Sequence, residues 1–302
     1  MKIAAADIGG TAIKYGLYSQ DGTCLKFAES PTDTKNGGAA LIRQVGDLLE
    51  SLGGAQRIGI STAGQVDPKT GTILFATDTI PGYTGTPVKR LLEERFQIPA
   101  AVENDVNSAA LGEAHFGAAR AYPDFLCLTY GTGIGGAIIR GGEIEYGATF
   151  SAGEFGHLIT HAGGKPCTCA SRGCYEQYAS TRALCALVKE KTEKSLNGRE
   201  IFHIIEDNDI VAQCVAQWKE EIVQGLASLV HIFNPACIVL AGGIMNQPGL
   251  VESLEAQLKE WIMPNYRGVR LMRSSLGSRA GTLGAVYRAA TLECQGSEKA
   301  RF

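Results

Sequence analysis

The sequence predicts an α/β protein built from two related halves. Its 302 residues are enough for about two domains, each with its own core. Apolar, strand-like segments alternate with helical segments along the chain, which is typical of α/β folds. The pattern of strand, glycine turn and strand that opens the chain begins again at Phe125, about 122 residues later. This internal repeat is what indicates two similar units.

In the first half, a buried strand leads into a turn and a hairpin. Lys2–Ala6 is apolar after its first residue, and the turn Ile8-Gly9-Gly10-Thr11 follows. Asp21-Gly22 is a hairpin signal, so we predict strands over Ala12–Tyr18 and Thr23–Ala28. The elements predicted after the hairpin are a helix over Gly38–Leu52, a strand over Arg57–Ser61, a helix over Pro87–Phe96, a strand ending at Glu103 and a helix over Val106–Phe116.

The second half repeats this opening and then alternates again. A predicted strand over Phe125–Thr129 is followed by the turn Gly131-Thr132-Gly133 and a strand over Gly135–Ile139. Apolar residues at helical spacing predict a helix over Glu221–Phe233. The remaining predicted elements are a strand over Cys237–Leu240, a helix over Pro248–Ile262, a strand over Val269–Met272 and a helix over Gly281–Thr291.

The domain boundary follows from the repeat alone, because no linker rich in proline, serine or charge marks it. We place it near residue 118, which gives a smaller N-terminal domain of residues 1–118 and a larger C-terminal domain of residues 119–302. The last helix, about 281–292, can pack back on the first domain. The polar tail from Gln295 is expected to fray.

Composition and charge exclude several classes of function. The chain is 45% hydrophobic and 20% charged, near the globular averages of roughly 45–50% and 25%. A net charge of −3 without a long basic run disfavours nucleic-acid binding. Neither a membrane span nor a signal peptide is visible, and nine cysteines favour reduced thiols and a metal over disulfides. We therefore expect a cytoplasmic protein without a nucleic-acid or membrane partner.

The first glycine turn has the residue types of a phosphate-binding loop. Gly9 and Gly10 let backbone N–H groups approach phosphate oxygens. Thr11 and Lys14 add donors, and Asp7 can hold a water bound to Mg²⁺. The alternative is a hairpin turn with an incidental lysine.

Two further glycine turns favour nucleotide binding. Gly131-Thr132-Gly133 occupies the same place in the repeat as the first turn, and Gly242-Gly243 follows a strand and precedes a helix. The loops at Gly9-Gly10 and at Gly131–Gly136 are not Walker loops. The second is not a dinucleotide fingerprint either, because a strand follows it where that motif requires a helix. Together the loops predict an ATP site, with Gly242 and Gly243 near the purine or its phosphates.

Glu103-Asn104-Asp105 lies where a strand passes into a helix. A carboxylate at the tip of a strand can accept a proton from a sugar hydroxyl during phosphoryl transfer. Asp and Asn are also favoured helix N-caps, so Asp105 could simply start the following helix. The local sequence leaves base and cap equally open.

Three cysteines and one or two histidines predict a zinc site. Cys167, Cys169 and Cys174 lie within eight residues, among glycines and a proline, and the fourth ligand is His157 or His161. The alternative is a loop of buried thiols. Glu154 and Glu176 bracket the cluster, which suggests that the metal shapes a substrate pocket.

These motifs together resemble the ROK family of sugar kinases and repressors, from residue 3 to about residue 290. The motifs are Asp7-x-Gly9-Gly10-Thr11-x-x-Lys14, Glu103-Asn104-Asp105, Glu154-x-Gly156-His157 and Cys167-x-Cys169-x-x-x-x-Cys174-x-Glu176. The resemblance implies an actin-like, ribonuclease-H-like fold of two domains closing over a cleft, assembled as a homodimer or a dimer of dimers. It implies an ATP-dependent and Mg²⁺-dependent hexose kinase that phosphorylates the 6-hydroxyl of a glucose-like sugar.

The resemblance also assigns roles to residues. Asp105 would be the general base. Zinc would be held by His157, Cys167, Cys169 and Cys174. Contacts to the sugar would come from Asn104, Glu154, His157, Glu176, Gly64 and Thr79. His157 could serve both metal and sugar, because its two ring nitrogens face different partners.

The chain departs from the family pattern in the zinc signature, where the loop can still turn, and in a segment over the sugar, which bears on the substrate. Ala170 stands where the zinc signature usually has glycine. Thr79 and Tyr83 replace the usual Asn and Trp of a segment over the sugar, which should change the reach and stacking of the pocket. N-acetylmannosamine, fructose and β-glucosides therefore stay open as substrates, and a sugar-sensing regulator without catalysis is the rival function. A repressor is disfavoured, because the first phosphate loop starts at residue 7 and leaves no room for a helix-turn-helix domain ahead of it.

Overall fold

The structure is a computed structural model that describes residues 1–77 and 79–292. The strands are β1 Lys2–Ile8, β2 Ala12–Ser19, β3 Cys24–Pro31, β4 Arg57–Thr62, β5 Gln65–Asp67, β6 Thr72–Phe75, β7 Ala100–Asn104, β8 Phe125–Tyr130, β9 Ile134–Arg140, β10 Glu143–Ile144, β11 Cys237–Ala241 and β12 Arg270–Arg273. The α-helices are α1 Gly37–Glu50, α2 Val88–Phe96, α3 Asp105–His115, α4 Glu176–Ala179, α5 Thr181–Thr192, α6 Gly198–His203, α7 Asp209–Phe233, α8 Leu250–Trp261 and α9 Ala280–Ala290.

In the described part of the chain, two five-stranded sheets share one topology. The first has the order β3-β2-β1-β4-β7 and the second the order β10-β9-β8-β11-β12. In each sheet the first three strands in sequence are antiparallel neighbours. The central strand, β1 or β8, then pairs in parallel with β4 or β11, which in turn pairs in parallel with the edge strand β7 or β12. The repeat predicted from the sequence is therefore confirmed at the level of strand order.

The chain divides into two compact units. Unit 1 contains residues 1–116, Ala148–Phe150 and the described residues from Ser278 onward. Unit 2 contains Gly117–Gly147 and Ser151–Gly277. Helix α9, close to the end of the described sequence, thus belongs to the first unit.

Unit 1 has its core between the sheet and helices α1 and α2. The core includes Ile8, Ile13, Leu41, Ile58 and Ile60, which are at most 1% exposed. On the other face, α9 packs against α3, β1 and β4. This packing is close, because a methyl group added at Gly59 or Gly284 would overlap a backbone carbonyl oxygen.

Unit 2 has its core around the long helix α7. Trp218 on α7 is 1% exposed, and its indole N–H donates to the carbonyl oxygens of Ala179 and Ser180, at 2.9 and 3.1 Å. This bond ties α7 to the junction between α4 and α5. A buried polar aromatic with its hydrogen bond satisfied stabilises one arrangement of these helices.

The structure differs from the sequence prediction mainly in unit 2. Helix α7 begins at Asp209, capped by Asn208, and not at residue 221. The earlier turns carry buried Val211, Cys214, Val215 and Trp218 at helical spacing, a pattern that extends the one recognised further on. The short hairpin β5–β6 and helices α5 and α6 were not predicted either. The tail from Gln295 lies outside the described residues.

Helix α7 is the longest helix in the described ranges, at 25 residues. Charged and polar side chains interrupt its sequence. None of the helices described is both long and apolar enough to cross a membrane.

Candidate active site

In unit 1, three neighbouring strands bring polar side chains to one edge of the sheet. Asp7 on β1 pairs in register with Ser61 on β4, and Ser61 pairs with Glu103 on β7. The strands are parallel, so their carboxyl ends meet at the same edge, where α/β proteins bind ligands. The predicted Asp7 and Glu103-Asn104-Asp105 segments are therefore neighbours.

Asp7 is held by its immediate neighbours. The Ser61 hydroxyl donates to its Oδ1 at 2.6 Å, and Lys14 is its partner across the β1–β2 pair. Burial raises the pKa of Asp7, against the opposing effects of Ser61 and Lys14. Gly281 in the first turn of α9 lies so close that a methyl group there would be 2.8 Å from the Asp7 carboxylate.

Asn104, and not Asp105, caps helix α3. Its Oδ1 accepts hydrogen bonds from the backbone N–H groups of Val106 and Asn107, at 2.9 and 3.1 Å. Its Nδ2 donates to the carbonyl oxygen of Gly64 at 3.0 Å and to Oδ1 of Asp105 at 2.9 Å. The cap role, which the sequence left open for Asp105, thus falls on Asn104.

Asp105 has the geometry and the ionisation of a base. Its Oδ1 accepts from Asn104 and from the N–H of Val106, at 3.0 Å in the second case. Its Oδ2 has no hydrogen-bond partner among the described residues, so one oxygen is oriented and the other is available. Burial, and then the nearby Asp7 carboxylate, raise the pKa of Asp105 to about 6.

The first glycine turn of unit 1 is open on one side. Gly9 N–H donates to the Ala12 carbonyl oxygen at 3.1 Å, and the Thr32 hydroxyl donates to the Gly9 carbonyl oxygen at 2.7 Å. Gly10 and Thr11 are exposed. The structure thus fixes the base of the turn and leaves its tip accessible to a ligand.

Thr79 and Tyr83, which replace the usual Asn and Trp of the family, lie in different surroundings. Thr79 is exposed, and its hydroxyl lies 3.1 Å from that of Thr77. Tyr83 is 1% exposed, and its hydroxyl lies 2.7 Å from the Thr62 hydroxyl. In this conformation the ring of Tyr83 belongs to the core of unit 1.

Two glycine turns of unit 2 lie side by side. Thr129 on β8 and Ala241 on β11 are paired in register, so Gly131 and Gly242 leave neighbouring strands at the same edge. Gly242, at φ 110°, lies against the Tyr130 carbonyl oxygen, where a methyl group would overlap. The geometry brings the predicted loops Gly131–Gly133 and Gly242–Gly243 together.

A pocket of about 370 Å³ adjoins the second of these turns. Gly243, Ile244 and Gln247 line one side. The remaining lining residues come from the start of α5 and the start of α6, and they are Thr181, Asn197, Gly198 and Arg199. The pocket has the size and mixed lining of a site for a small organic group such as a nucleobase.

The thiols and one imidazole form a compact cluster in unit 2. The candidate donor atoms of His157, Cys167, Cys169 and Cys174 all lie within 4.8 Å of one another. His157 Nδ1 is 3.7 Å from Cys167 Sγ, and the Sγ atoms of Cys169 and Cys174 are 3.5 Å apart. Donors at such spacings fit a tetrahedral ion with Zn–S bonds of ~2.3 Å, so the set is compatible with structural zinc.

His161 lies outside this cluster. Its ring stacks on Tyr178 with 3.9 Å between centroids, and its Nε2 is 3.6 Å from a carboxylate oxygen of Glu221. His157 is therefore the histidine that the structure places with the thiols. Its Nδ1 faces Cys167, and its Nε2 lies 3.9 Å from a carboxylate oxygen of Glu154.

Ala170 adopts the backbone conformation that explains the usual glycine. Its φ is 67°, in the left-handed region that costs an L-residue with a Cβ about 1–2 kcal/mol. The zinc loop closes despite this cost. Gly173, at φ 82°, lies against the His161 carbonyl oxygen with no room for a side chain.

Glu176 links the cysteine cluster to the glycine loop. The Cys167 thiol lies 3.4 Å from its Oε1, and the N–H of Ile134 lies 3.4 Å from its Oε2. A methyl group at Gly133 would overlap the same carboxylate. Gln177 adds a bridge, since its Nε2 is 3.1 Å from Glu176 Oε1 and 3.4 Å from Cys167 Sγ.

Sequence reasoning missed Ser61, Gly281 and Gln177. Ser61 lies at the end of a predicted strand, so the rule that ligands bind at carboxyl ends could have indicated it. Gln177 follows a predicted site residue directly. Nothing local to Gly281 marks it, because its contact with Asp7 joins two distant parts of the sequence.

Comparisons with known proteins agree with this arrangement. The family model described as the ROK family matches residues 3–291. A β-glucoside kinase from Klebsiella pneumoniae is 35% identical, covering 95% of each chain. A glucokinase from Streptomyces coelicolor is 32% identical, covering 92% of this chain and 94% of its own.

A solved structure extends the similarity to three dimensions. The ROK family glucokinase from Streptomyces griseus, in complex with glucose and AMPPNP, has a TM-score of 0.83 and 29% sequence identity. The match covers 96% of this chain and 99% of that one. The family resemblance and the actin-like, two-domain α/β fold predicted from the sequence are confirmed.

Proposed function

Because the chain belongs to the ROK family, we propose that it transfers the γ-phosphoryl group of ATP to the 6-hydroxyl of a glucose-like hexose, with Asp105 as general base. At the coarser level, the chain is an ATP-dependent sugar kinase, as its glucokinase and β-glucoside kinase relatives are. The observation that carries the finer proposal is the Asp105 carboxylate. One of its oxygens is fixed by Asn104 and Val106, and the other has no hydrogen bond among the described residues.

The proposed reaction needs a base, an aligned acceptor and stabilised phosphate charge. As the sugar oxygen bonds to the γ-phosphorus, its proton passes to Asp105 Oδ2 and the bond to the β-phosphate oxygen breaks, releasing ADP. A pKa of about 6 leaves Asp105 mostly ionised at neutral pH, yet basic enough to take the proton. Asn104 holds this carboxylate in one orientation, and its own contact to the sugar stays part of the proposal.

The glycine turns are proposed to bind the nucleotide. Gly9, Gly10, Thr11 and Lys14 in unit 1, and Gly131, Thr132 and Gly133 in unit 2, offer backbone and side-chain donors to phosphate. The pocket beside Gly243 would bind the adenine base of ATP. Mg²⁺ would neutralise phosphate charge when bound, and Asp7 is the carboxylate that fits it.

The zinc cluster is proposed to shape the sugar pocket without taking part in the chemistry. His157, Cys167, Cys169 and Cys174 would fill all four positions of a tetrahedral ion, which leaves none for a substrate. His157 would then present Nε2, and Glu154 and Glu176 their carboxylates, to sugar hydroxyls. Gly64 and Thr79 are proposed as further contacts from unit 1.

The sugar itself is the open part of the proposal. A β-glucoside is the second candidate, because the Klebsiella β-glucoside kinase matches at 35% identity against 32% for the Streptomyces coelicolor glucokinase. N-acetylmannosamine and fructose are weaker alternatives. We also propose a cytoplasmic location and a homodimer or dimer of dimers, as the family resemblance implies.

The test is a coupled ADP-release assay with Mg²⁺ and ATP. The panel is glucose, mannose, fructose, N-acetylglucosamine, N-acetylmannosamine and cellobiose. One sugar with a kcat of ~1–100 s⁻¹, phosphorylated at the 6-position by NMR, supports the proposal. If cellobiose alone is phosphorylated, a β-glucoside replaces glucose as the proposed substrate. If the protein binds ATP but phosphorylates no sugar of the panel, a sugar sensor is favoured.

A further inference from the structure

Helix α9 contacts two buried or partly buried carboxylates of unit 1, those of Asp7 and Glu103. Its first turn reaches Asp7, because Gly281 lies directly against that carboxylate. Its last turn reaches Glu103 through Arg288. Gly281 and Arg288 are seven residues apart, or about 10.5 Å along a helix. One rigid element thus touches the site at two points.

The contact at the end of α9 is an ion pair around a buried carboxylate. Glu103 is 1% exposed, and its Oε2 lies 3.5 Å from Nε of Arg288. Its Oε1 accepts hydrogen bonds from the Asn104 backbone N–H at 3.0 Å and from Asn107 Nδ2 at 3.1 Å. A buried carboxylate needs compensation of this kind, and removing one partner leaves a charge that the interior tolerates poorly.

The chain of contacts continues to the proposed base. Glu103 binds the backbone of Asn104, and the Asn104 side chain donates to Asp105 Oδ1 at 2.9 Å. Asn104 also caps α3. A shift of the Glu103 carboxylate would therefore move the residue that orients Asp105.

The packing around α9 keeps this arrangement in register. Gly112 on α3 and Gly284 on α9 leave no room for a methyl group, because backbone carbonyl oxygens of the facing helix lie against them. Close-packed helices shift little without separating. Helix α9 can thus act as a fixed support from which Arg288 reaches Glu103.

We infer that Arg288 is a positioning residue for Asp105 and acts through Glu103. It does not touch the proposed reacting atoms. Its guanidinium compensates the Glu103 carboxylate, which in turn holds Asn104 and the orientation of the base. The inference rests on the proposed role of Asp105, and it adds to that role a residue from the opposite end of the sequence.

The main test compares Arg288→Met with Arg57→Met. Arg57 also binds the end of α9, donating to the carbonyl oxygens of Ala289 and Ala290 at 2.8 and 2.9 Å, but it lies at the start of β4, away from the site. We expect Arg288→Met to lower kcat ~10-fold while KM for sugar and ATP stays within ~2-fold, since misplacing a catalytic group costs rate. Arg57→Met should lower thermal stability to a similar extent and keep kcat.

Two further variants test the route through Glu103. Arg288→Lys keeps the charge and should recover most of the lost kcat. Glu103→Gln in the Arg288→Met background removes the uncompensated charge while keeping an acceptor for the Asn104 N–H, so it should also raise kcat above that of Arg288→Met. Independent, multiplicative losses in the double variant would overturn the inference.

A readout without turnover separates this inference from the proposed function. Hydrogen–deuterium exchange of a peptide spanning residues 100–107 should be faster in Arg288→Met than in wild type, and unchanged in Arg57→Met. Unchanged exchange, or equal loss of kcat in both variants, overturns the positioning role. A wild type that phosphorylates no sugar overturns the proposed function, and the exchange comparison then decides the link from Arg288 to Asn104 on its own.

Discussion

The two units share one strand order but carry different chemistry at the same edge of their sheets. In unit 1 the carboxyl ends of β1, β4 and β7 carry Asp7, Ser61 and Asn104. At the corresponding ends in unit 2, β8 leads into Gly131 and β11 into Gly242. The shared topology fixes where a site forms, and the residues at the strand ends decide what it can do.

This difference separates two ways of building a site. Unit 1 relies on side chains that hydrogen-bond one another, as Asn104 does with Asp105. Unit 2 relies on open backbone turns, with Glu176 lying between one of them and the cysteine cluster. Changes in unit 1 should therefore act mainly on the rate, and changes in unit 2 mainly on binding and metal content.

Asp105→Asn should have the largest effect on turnover. The amide keeps the shape of the side chain but cannot accept the hydroxyl proton, so we expect kcat to fall by ~10²–10⁴-fold with little change in KM. Steady-state kinetics on the best sugar of the panel measure this. Asp67→Asn, a change at another hydrogen-bonded aspartate of unit 1, should keep kcat. Turnover like that of wild type in Asp105→Asn would remove Asp105 from the base role.

Cys169→Ser, in unit 2, should change metal binding and the KM for sugar more than kcat. Losing one of four donors should weaken zinc binding by ~10–100-fold or more, and the freed His157 should raise the KM for sugar more than it lowers kcat. Competition with a chromophoric chelator measures the metal, and kinetics measure the KM. Cys24→Ser, at an exposed thiol outside the cluster, is the control. Full activity in zinc-free wild type would contradict the structural role of the metal.

The pH dependence of kcat should report the environment of Asp105 in unit 1. As the proposed base, Asp105 must be ionised to accept a proton, and its raised pKa means that activity should be lost as the pH falls through about 6. We expect kcat to drop ~10-fold per pH unit below that point. The residual activity of Asp105→Asn should lack this limb. An acidic limb near the ordinary aspartate pKa of ~3.9 would show that burial and Asp7 do not perturb the base.

The sequence was most informative about parts of the candidate site that lie in short, contiguous motifs. The glycine turns after β1 and β8, the cysteine cluster and the Glu103-Asn104-Asp105 segment could all be predicted, because each is a contiguous motif. The repeat of strand, glycine turn and strand was also visible in the sequence, although the order of the strands in the two sheets was not. The division of roles between Asn104 as cap and Asp105 as candidate base could not, since both residue types are good caps and only the hydrogen bonds distinguish them.

Contacts between residues far apart in the sequence could not be predicted. The sequence suggested that the last helix can pack back on the first domain, and α9 does belong to unit 1. The particular contacts of Gly281 with Asp7 and of Arg288 with Glu103 are not specified by any local pattern. Tyr83 shows the converse difficulty. The motif identified it as the replacement for a family Trp, but did not indicate that its ring lies in the apolar core, where its hydroxyl is 2.7 Å from that of Thr62.

Equivalent glycines of the two units should differ in their tolerance to a methyl group, the smallest effect that we expect. Gly9 and Gly131 each follow the first strand of their sheet. A Cβ at Gly9 would lie 2.9 Å from the Ala12 carbonyl oxygen, and one at Gly131 would meet nothing within 4 Å. Gly9→Ala should therefore lower the free energy of unfolding by ~1–3 kcal/mol, and Gly131→Ala should leave it nearly unchanged. Thermal unfolding without nucleotide measures both, so that a phosphate contact at either turn cannot mask the difference. Equal losses would mean that the two turns, like the sheets that carry them, are built in the same way.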